Sequence, residues 1–102
     1  MKLGYRLSRR ASREFDAIID YRRGVAGDAS AKQLEADLLD AFGLIASQPG
    51  MGFRRPDLTM RPYRFWLKQG YWIVYRLPSA RQPLVVAVID ARRDITRLLR
   101  RS

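Results

Sequence analysis

The sequence of 102 residues contains no cysteine and no histidine. Disulfide bonds and thiolate nucleophiles are therefore excluded, and so are zinc sites of the common cysteine and histidine kinds. The absence of histidine also excludes a serine nucleophile activated by an imidazole. No side chain has an ordinary pKa near neutrality, which leaves little for general acid-base catalysis. We expect neither a metal ion nor any other cofactor.

Long apolar runs are also missing. No segment approaches the roughly 20 consecutive apolar residues of a membrane-spanning helix, and residues 1–6 lack the apolar core of a signal peptide. Hydrophobic residues nevertheless make up 47% of the chain, a composition typical of folded and not of disordered proteins. We expect a single cytoplasmic domain over residues 1–102, with one core between a sheet and one or two helices.

Acidic residues are few relative to basic ones, and the net charge is +10. Residues 1–40 carry eight Lys or Arg and seven Asp or Glu, whereas residues 41–102 carry twelve and three. Seventeen of the twenty cations are arginine, whose guanidinium suits two-point contacts with carboxylate or phosphate. Either the second half presents a solvated basic face, or it binds an acidic partner such as nucleic acid or an acidic protein segment.

The clearest strand pattern lies in residues 71–77, where all side chains but Arg76 are apolar or aromatic. β-Branched and aromatic residues favour a buried strand, and the run is too short for an independent helix. Residues 60–67 and 84–89 have similar patterns on either side, which predicts an antiparallel meander with 71–77 at its centre. Arg76 then lies at the end of an otherwise apolar face, the first indication of a site.

The first half of the chain predicts a short strand over residues 3–7 and two amphipathic helices. Ser8 offers an N-cap for the first helix, which should end near Gly24, and Asp28 or Ser30 should cap the second. The predicted fold class is α+β, in the order β-α-α-β-β-β, with an antiparallel helical hairpin packed on a small antiparallel sheet. Residues 95–99 form either a short C-terminal helix or a frayed tail.

Six short motifs resemble the toxins of the ParE/RelE superfamily, and the ParE branch more closely. Their order and spacing match over nearly the whole chain: Leu7-Ser8 with Ala11, Ile18 with Tyr21, Pro49-Gly50-Met51-Gly52, Leu58 with Met60-Arg61, Tyr71-Trp72-Ile73-Val74-Tyr75-Arg76, and Ala91-Arg92-Arg93-Asp94-Ile95 with Leu98-Leu99. The resemblance implies the toxin half of a bacterial toxin-antitoxin pair.

Resemblance to the ParE branch implies a toxin that poisons DNA gyrase through a protein-protein contact and needs no chemistry of its own. The basic tail would then bind or orient the target, and the candidates for target binding are Arg92, Arg93, Arg97 and Arg100. Asp94, an acid flanked by arginines, is expected to hold its neighbours in place.

RelE-like relatives are implied to cleave mRNA on the ribosome, which is the alternative function. Many relatives have a histidine just before the closing motif, where this chain has Asp90, an anion that would repel an RNA phosphate. We therefore assign no catalytic residue. A nuclease would have to draw its phenol and cations from Tyr75, Arg61, Arg64, Arg76, Arg92 and Arg93.

The resemblance also implies a cognate ParD-like antitoxin, which lays an extended and often acidic C-terminal segment over the toxin in a hetero-oligomer. An arginine-rich half suits such a ligand. The candidates for antitoxin binding are Arg61, Trp66, Trp72 and Arg76. The two tryptophans are expected on the sheet face away from the helices, and the two arginines could instead pair with Asp90 or Asp94 at the end of the sheet.

A plain nucleic-acid-binding protein with no toxin role is the third interpretation. The net charge permits it, but no RNP-type, zinc-finger or helix-turn-helix signature is present, and the helical hairpin balances its charges. A steep fall of DNA affinity with salt, without any effect of a protein partner, would favour this interpretation.

Overall fold

A computed structural model describes residues 4–78 and 82–99. Within these ranges no helix is both long and apolar enough to cross a membrane. The predicted α+β class and the predicted order of the main elements are confirmed. The elements are β1 (Arg6–Leu7), α1 (Arg9–Ala26), α2 (Asp28–Ser47), a 3-10 turn (Pro49–Met51), β2 (Phe53–Arg54), β3 (Arg64–Lys68), β4 (Tyr71–Arg76), β5 (Leu84–Asp90) and α3 (Ile95–Leu99).

The strands form one sheet in the order β1-β5-β4-β3-β2, so the apolar strand β4 lies at its centre as predicted. Strands β2 to β5 pair antiparallel. Strand β1 pairs parallel to β5, with Arg6 opposite Leu84. The sheet is therefore mixed, whereas the sequence predicted an antiparallel one. The helical hairpin allows the parallel pair, because parallel strands need a long crossover between them.

No strand is predicted at Phe53–Arg54, where the structure has β2. Two residues are too short to show a period, and only pairing with β3 identifies them as a strand. Strand β3 begins at Arg64, just beyond Pro62, as the missing backbone N–H of this proline predicts.

The turn between β3 and β4 is a two-residue hairpin. Gln69 (φ 52°) and Gly70 (φ 80°) both adopt left-handed backbone angles, as hairpin turns of this length favour. The Gln69 side-chain amide donates to Asp37 Oδ2 at 2.8 Å, which ties the turn to α2.

The helix ends partly follow the predictions. Ser8 caps α1 as expected, because its Oγ accepts from the Ala11 N–H at 3.0 Å. The N-cap of α2 is Gly27, so the prediction of Asp28 or Ser30 is wrong. Asp28 instead pairs with Arg23 across the turn between the helices and with Lys32 one turn further along α2. The hydrogen bonds from Lys32 and Arg23 lower the pKa of its carboxyl.

The sheet separates two apolar clusters. The first lies between the helices and the sheet and includes Phe15, Leu38, Phe42, Ile73 and Tyr75. The second lies on the opposite face and is closed by α3, which confirms the helical alternative for the tail; its buried members are Tyr63, Phe65, Val74, Ala87, Ile89, Ile95 and Leu99. Strand β5 contributes to both clusters, as its continuous apolar pattern predicted.

Side chains of α1 close the outer edge of β5 beyond β1. Ser8 donates through its backbone N–H to Val85 O at 2.9 Å and through its Oγ to Val86 O at 3.0 Å. The Glu14 carboxylate accepts from the Val88 N–H at 2.9 Å. These contacts pair backbone groups that an open edge strand would leave free for another chain.

Candidate functional site

Two adjoining pockets near the C-terminal end of β4 contain most of the arginines that the sheet displays. The larger, of about 610 Å³, lies between the start of α1, the turn before β3 and the ends of β4 and β5. The smaller, of about 210 Å³, shares Pro62 and Arg76 with it. We call the pair the arginine groove, after its five cations Arg10, Arg54, Arg61, Arg64 and Arg76.

The structure thus brings together the two arginines predicted to bind an antitoxin. Arg76 ends β4, and Arg61 is placed by a tight turn in which the Tyr63 N–H donates to Arg61 O at 2.7 Å. The Arg61 N–H in turn donates to Thr59 Oγ1 at 3.1 Å. Among the described residues, no acidic side chain lines either pocket.

Two of the five arginines are held by the protein itself. Arg10 pairs with Glu14 at 3.2 Å and donates to Leu98 O at 3.0 Å, and Arg64 donates to Gly52 O at 2.9 Å. The side chains of Arg54, Arg61 and Arg76 are exposed and have no hydrogen bond or ion pair with any described residue. Within residues 4–78 and 82–99, these three guanidinium groups are therefore not neutralised by a carboxylate.

The alternative pairing of Arg61 or Arg76 with Asp90 or Asp94 is wrong. Arg76 lies opposite Leu84 at one end of the β4–β5 ladder, and Asp90 lies opposite Tyr71 at the other. The five residue steps between them span roughly 17 Å along the strand. Asp90 pairs instead with Arg92 at 2.7 Å.

Tyr75, the candidate phenol for a nuclease, is fully buried. Its Oη donates to Pro49 O at 2.7 Å and accepts from the Gly52 N–H at 2.8 Å. A Cβ added to Gly52 would lie 2.6 Å from that oxygen, so the position requires glycine. Burial raises the pKa of the Tyr75 phenol, against the opposite effects of the Gly52 N–H and Arg64. The phenol therefore fixes the turn at 49–52 and is not available to a substrate.

The two tryptophans predicted for one face lie on opposite faces of the sheet. Trp72 packs on the second cluster, away from the helices, edge-on to Phe65 and under the guanidinium of Arg55 at 5.9 Å. Trp66 packs against the first cluster and stacks on Phe53 with ring centroids 6.2 Å apart. The expected face is thus right for Trp72 and wrong for Trp66, because Trp66 is opposite Ile73 in the ladder and shares its face.

Of the arginines predicted to bind the target, Arg92 and Arg93 lie away from the arginine groove. Arg92 and Arg93 line a separate cleft of about 410 Å³ beside Tyr21 and Tyr71, and Arg97 is exposed on α3. Arg100 lies outside the described residues. The hydrogen bonds from Arg92 hold the pKa of the Asp90 carboxyl below its ordinary value, so the anion at this position is paired with a cation.

Asp94 has the structural role expected of it. Its Oδ1 accepts from the Arg97 N–H at 3.2 Å, and its carbonyl oxygen accepts from the Leu98 N–H at 3.1 Å. The residue therefore stabilises the start of α3 through backbone groups and not through the neighbouring guanidinium groups.

The family model for the ParE toxin of type II toxin-antitoxin systems, parDE, matches residues 5–95. The chain belongs to the ParE toxin family. A solved structure of a chromosomal ParDE toxin-antitoxin system from P. aeruginosa has the same fold, with a TM-score of 0.72. It is 16% identical over 84% of this toxin and 92% of that chain, a likeness of fold alone. A search of curated proteins finds no match.

The family assignment identifies this ParE-type chain as a toxin of a type II system, which is paired with an antitoxin. Two residues of its arginine groove, Arg10 and Arg54, were missed by sequence reasoning. Arg10 is one of several cations along α1, and Arg54 lies in a two-residue strand that the sequence pattern does not predict. Only the packing of α1 and β2 around the end of β4 places them beside Arg76, and no local pattern indicates that.

Proposed function

We propose that this ParE toxin inhibits DNA gyrase by a protein-protein contact and is neutralised by a ParD-like antitoxin with an acidic segment. The observation that carries the mechanism is the state of Tyr75, whose phenol is buried and has both hydrogen-bonding roles occupied. With no histidine in the chain, the arginine groove contains cations but no group suited to take a proton at neutral pH.

The target contact is assigned to the C-terminal arginines. Arg92 and Arg93 are exposed just after Asp90, at the end of the sheet opposite to Arg76. Arg97 is exposed on α3, and Arg100 follows it in the sequence. Tyr21, which lines a cleft with Arg92 and Arg93, is 67% exposed, so this surface combines cations with apolar area. Such a mixture is typical of the anchoring part of a protein interface. A gyrase target also requires the toxin to act in the cytoplasm.

The antitoxin contact is assigned to Arg61 and Arg76 in the arginine groove, with Trp66 and Trp72 at opposite faces of the sheet. An acidic segment that reached all four would have to pass around the sheet edge at β2 and β3. The exposed Phe53 and Leu67 lie at that edge and would be covered by the same segment. Opposite charge would speed the encounter of toxin and antitoxin.

The test of the proposed function is a gyrase assay run beside an mRNA assay on one toxin preparation. Plasmid supercoiling and trapped gyrase-DNA cleavage complexes are measured with purified gyrase, and mRNA cleavage with programmed ribosomes. We expect trapped gyrase-DNA complexes and intact mRNA. Cut mRNA with unaffected gyrase would overturn the proposal in favour of a ribosome-dependent nuclease.

A paired variant tests the assignment of the target surface. Arg92→Gln with Arg93→Gln should lower gyrase inhibition by roughly tenfold or more, since two guanidinium groups no longer bind the target. The matched control is Arg13→Gln with Lys32→Gln, which removes the same charge from exposed positions on the helices. If both pairs inhibit gyrase as well as the parent toxin does, while circular dichroism shows all three folded, the contact lies elsewhere.

A further inference from the structure

We propose that the arginine groove also binds the phosphodiester backbone of single-stranded nucleic acid. The first observation is the positive charge of the groove. Of its five guanidinium groups, that of Arg10 is paired with Glu14. Those of Arg54, Arg61 and Arg76 have no side-chain partner among the described residues, and no described carboxylate lines the two pockets. An anionic ligand would be attracted by this excess of positive charge.

The second observation concerns the backbone around the groove. Strand β5 is paired on both sides where it forms the wall, with β4 at Leu84 and with β1 at the same residue. Ser8 also donates to Val85 O and Val86 O. A ligand therefore cannot add to the sheet as a further strand at this wall and has to be held by side chains. Guanidinium groups suit the phosphates of a nucleic-acid strand in this way.

The third observation is the shape and lining of the groove. Pro62, Tyr63, Leu84 and Val86 provide apolar walls between the cations, against which sugars and base faces can pack. Pro62 and Arg76 line both pockets, so one ligand can contact arginines of both. A flexible single strand can follow such a surface more easily than a rigid duplex can. Contacts through arginine to phosphate carry no sequence information, and binding should not depend on base sequence.

The test is fluorescence polarisation of labelled dT12 with the full-length toxin at several salt concentrations. Arg61→Gln with Arg76→Gln should weaken binding roughly tenfold or more, because two guanidinium groups are removed from the site. The slope of log affinity against log salt should become shallower by about 1.4, since each phosphate that an arginine neutralises on a single strand contributes about 0.7. Both residues are exposed, and circular dichroism melting will show that the variant keeps its fold.

The control pair Arg13→Gln with Lys32→Gln has the same net charge as the groove variant. It therefore measures how much of the binding comes from the overall positive charge of the protein. Equal weakening in the two pairs would overturn the groove as the site. A 12-base-pair duplex that binds more tightly than dT12 would overturn the choice of a single strand. An acidic peptide that binds to the groove arginines while dT12 does not would assign the groove to protein ligands alone.

Arg61 and Arg76 are also proposed to bind the acidic segment of the antitoxin, so nucleic-acid binding at the groove and the proposed function involve the same two residues. The two ligands should then compete, and added antitoxin should displace dT12. The polarisation experiment contains neither gyrase nor antitoxin. Its failure therefore leaves the proposed function standing, and failure of the gyrase assay leaves the polarisation result unaffected.

Discussion

The hydroxyl of Tyr75 both donates and accepts a hydrogen bond, and these two bonds fix the conformation of residues 49–52. The hydroxyl donates to Pro49 O and accepts from the Gly52 N–H, and Arg64 donates to the carbonyl oxygens of Gly50 and Gly52. Two side chains from neighbouring strands thus fix the turn that leads into β2. Because a side chain at Gly52 would collide with the phenol, the tyrosine and the glycine depend on each other.

Replacing Tyr75 with Phe should lower the free energy of unfolding at pH 7 by about 1–3 kcal/mol, because Gly52 N–H and Pro49 O are left without a partner. The pKa of this phenol is raised in the fold above its ordinary value of 10.0. Above about pH 10 the unfolded chain releases the proton while the folded chain keeps it, so stability falls as pH rises. The variant should lose less stability than the parent toxin at high pH.

Urea unfolding between pH 7 and pH 11 measures both effects. Tyr21→Phe is the matched control, since Tyr21 is 67% exposed and its hydroxyl has no hydrogen bond with a described residue. Tyr5 also has a pKa raised by burial and should leave some alkaline destabilisation in every variant. An unchanged midpoint for Tyr75→Phe at pH 7 would contradict the role given to the phenol.

A second prediction for single residues concerns Arg61 and Arg76. Their joint replacement by Gln should weaken antitoxin binding, with a larger difference at low salt than at high salt, because exposed charges are screened. Isothermal titration of the antitoxin at two salt concentrations measures the effect against the Arg13→Gln and Lys32→Gln pair. An unchanged affinity at low salt would remove the two arginines from the interface.

At the scale of elements, α1 serves both as a layer over the sheet and as a cover for one of its edges. Ser8 and Glu14, at the start of α1 and within it, bond to β5 at Val86 and Val88. Glu14 also pairs with Arg10, which reaches the carbonyl oxygen of Leu98 in α3. The first helix thus connects both faces of the sheet, and the start of α1 determines where the arginine groove can lie.

Ser8→Ala should destabilise the toxin by about 1–2 kcal/mol, because it removes the N-cap bond of α1 and the bond to Val86 O together. Thermal unfolding followed by circular dichroism measures the change. Ser12→Ala is the matched control, since Ser12 is an exposed serine of the same helix whose hydroxyl bonds to no described residue. Equal melting of the two variants would mean that the cap contributes nothing to stability.

In the molecule as a whole, the sheet is covered on both faces. The helical hairpin covers one face, and α3 with the residues before β3 covers the other. Ile95 and Leu99 in α3 are only 9% and 3% exposed. Because these two residues belong to the core, truncation after Asp90 would expose the second cluster as well as remove the basic tail. Point variants therefore separate toxicity from folding better than truncation does.

Leu99→Ala should destabilise the fold by about 2–5 kcal/mol, because apolar packing is removed and a cavity is left behind. Leu39→Ala should cost much less, since Leu39 is 42% exposed on α2 and leaves no closed cavity. Urea unfolding of both variants measures the difference. If the two variants unfolded at the same urea concentration, α3 would have to be regarded as a loosely attached tail.

The sequence by itself was sufficient for the class of fold, the central strand, the two amphipathic helices, the Ser8 cap and the family. Each of these depends on neighbours along the chain, either through the periodicity of apolar residues or through the short motifs that the ParE family shares. The resemblance to the family also gave Arg61 and Arg76 as candidates for antitoxin binding, which stays a prediction.

How distant segments meet could be read from the packed fold alone. It placed Trp66 and Trp72 on opposite faces, set β1 parallel to β5, and identified β2, whose two residues are too few to show a period. It showed Tyr75 to be a structural phenol and added Arg10 and Arg54 to the arginine groove. The reason is physical: strand register and helix packing act between residues far apart in the chain, and no local sequence pattern determines which side chains they bring together.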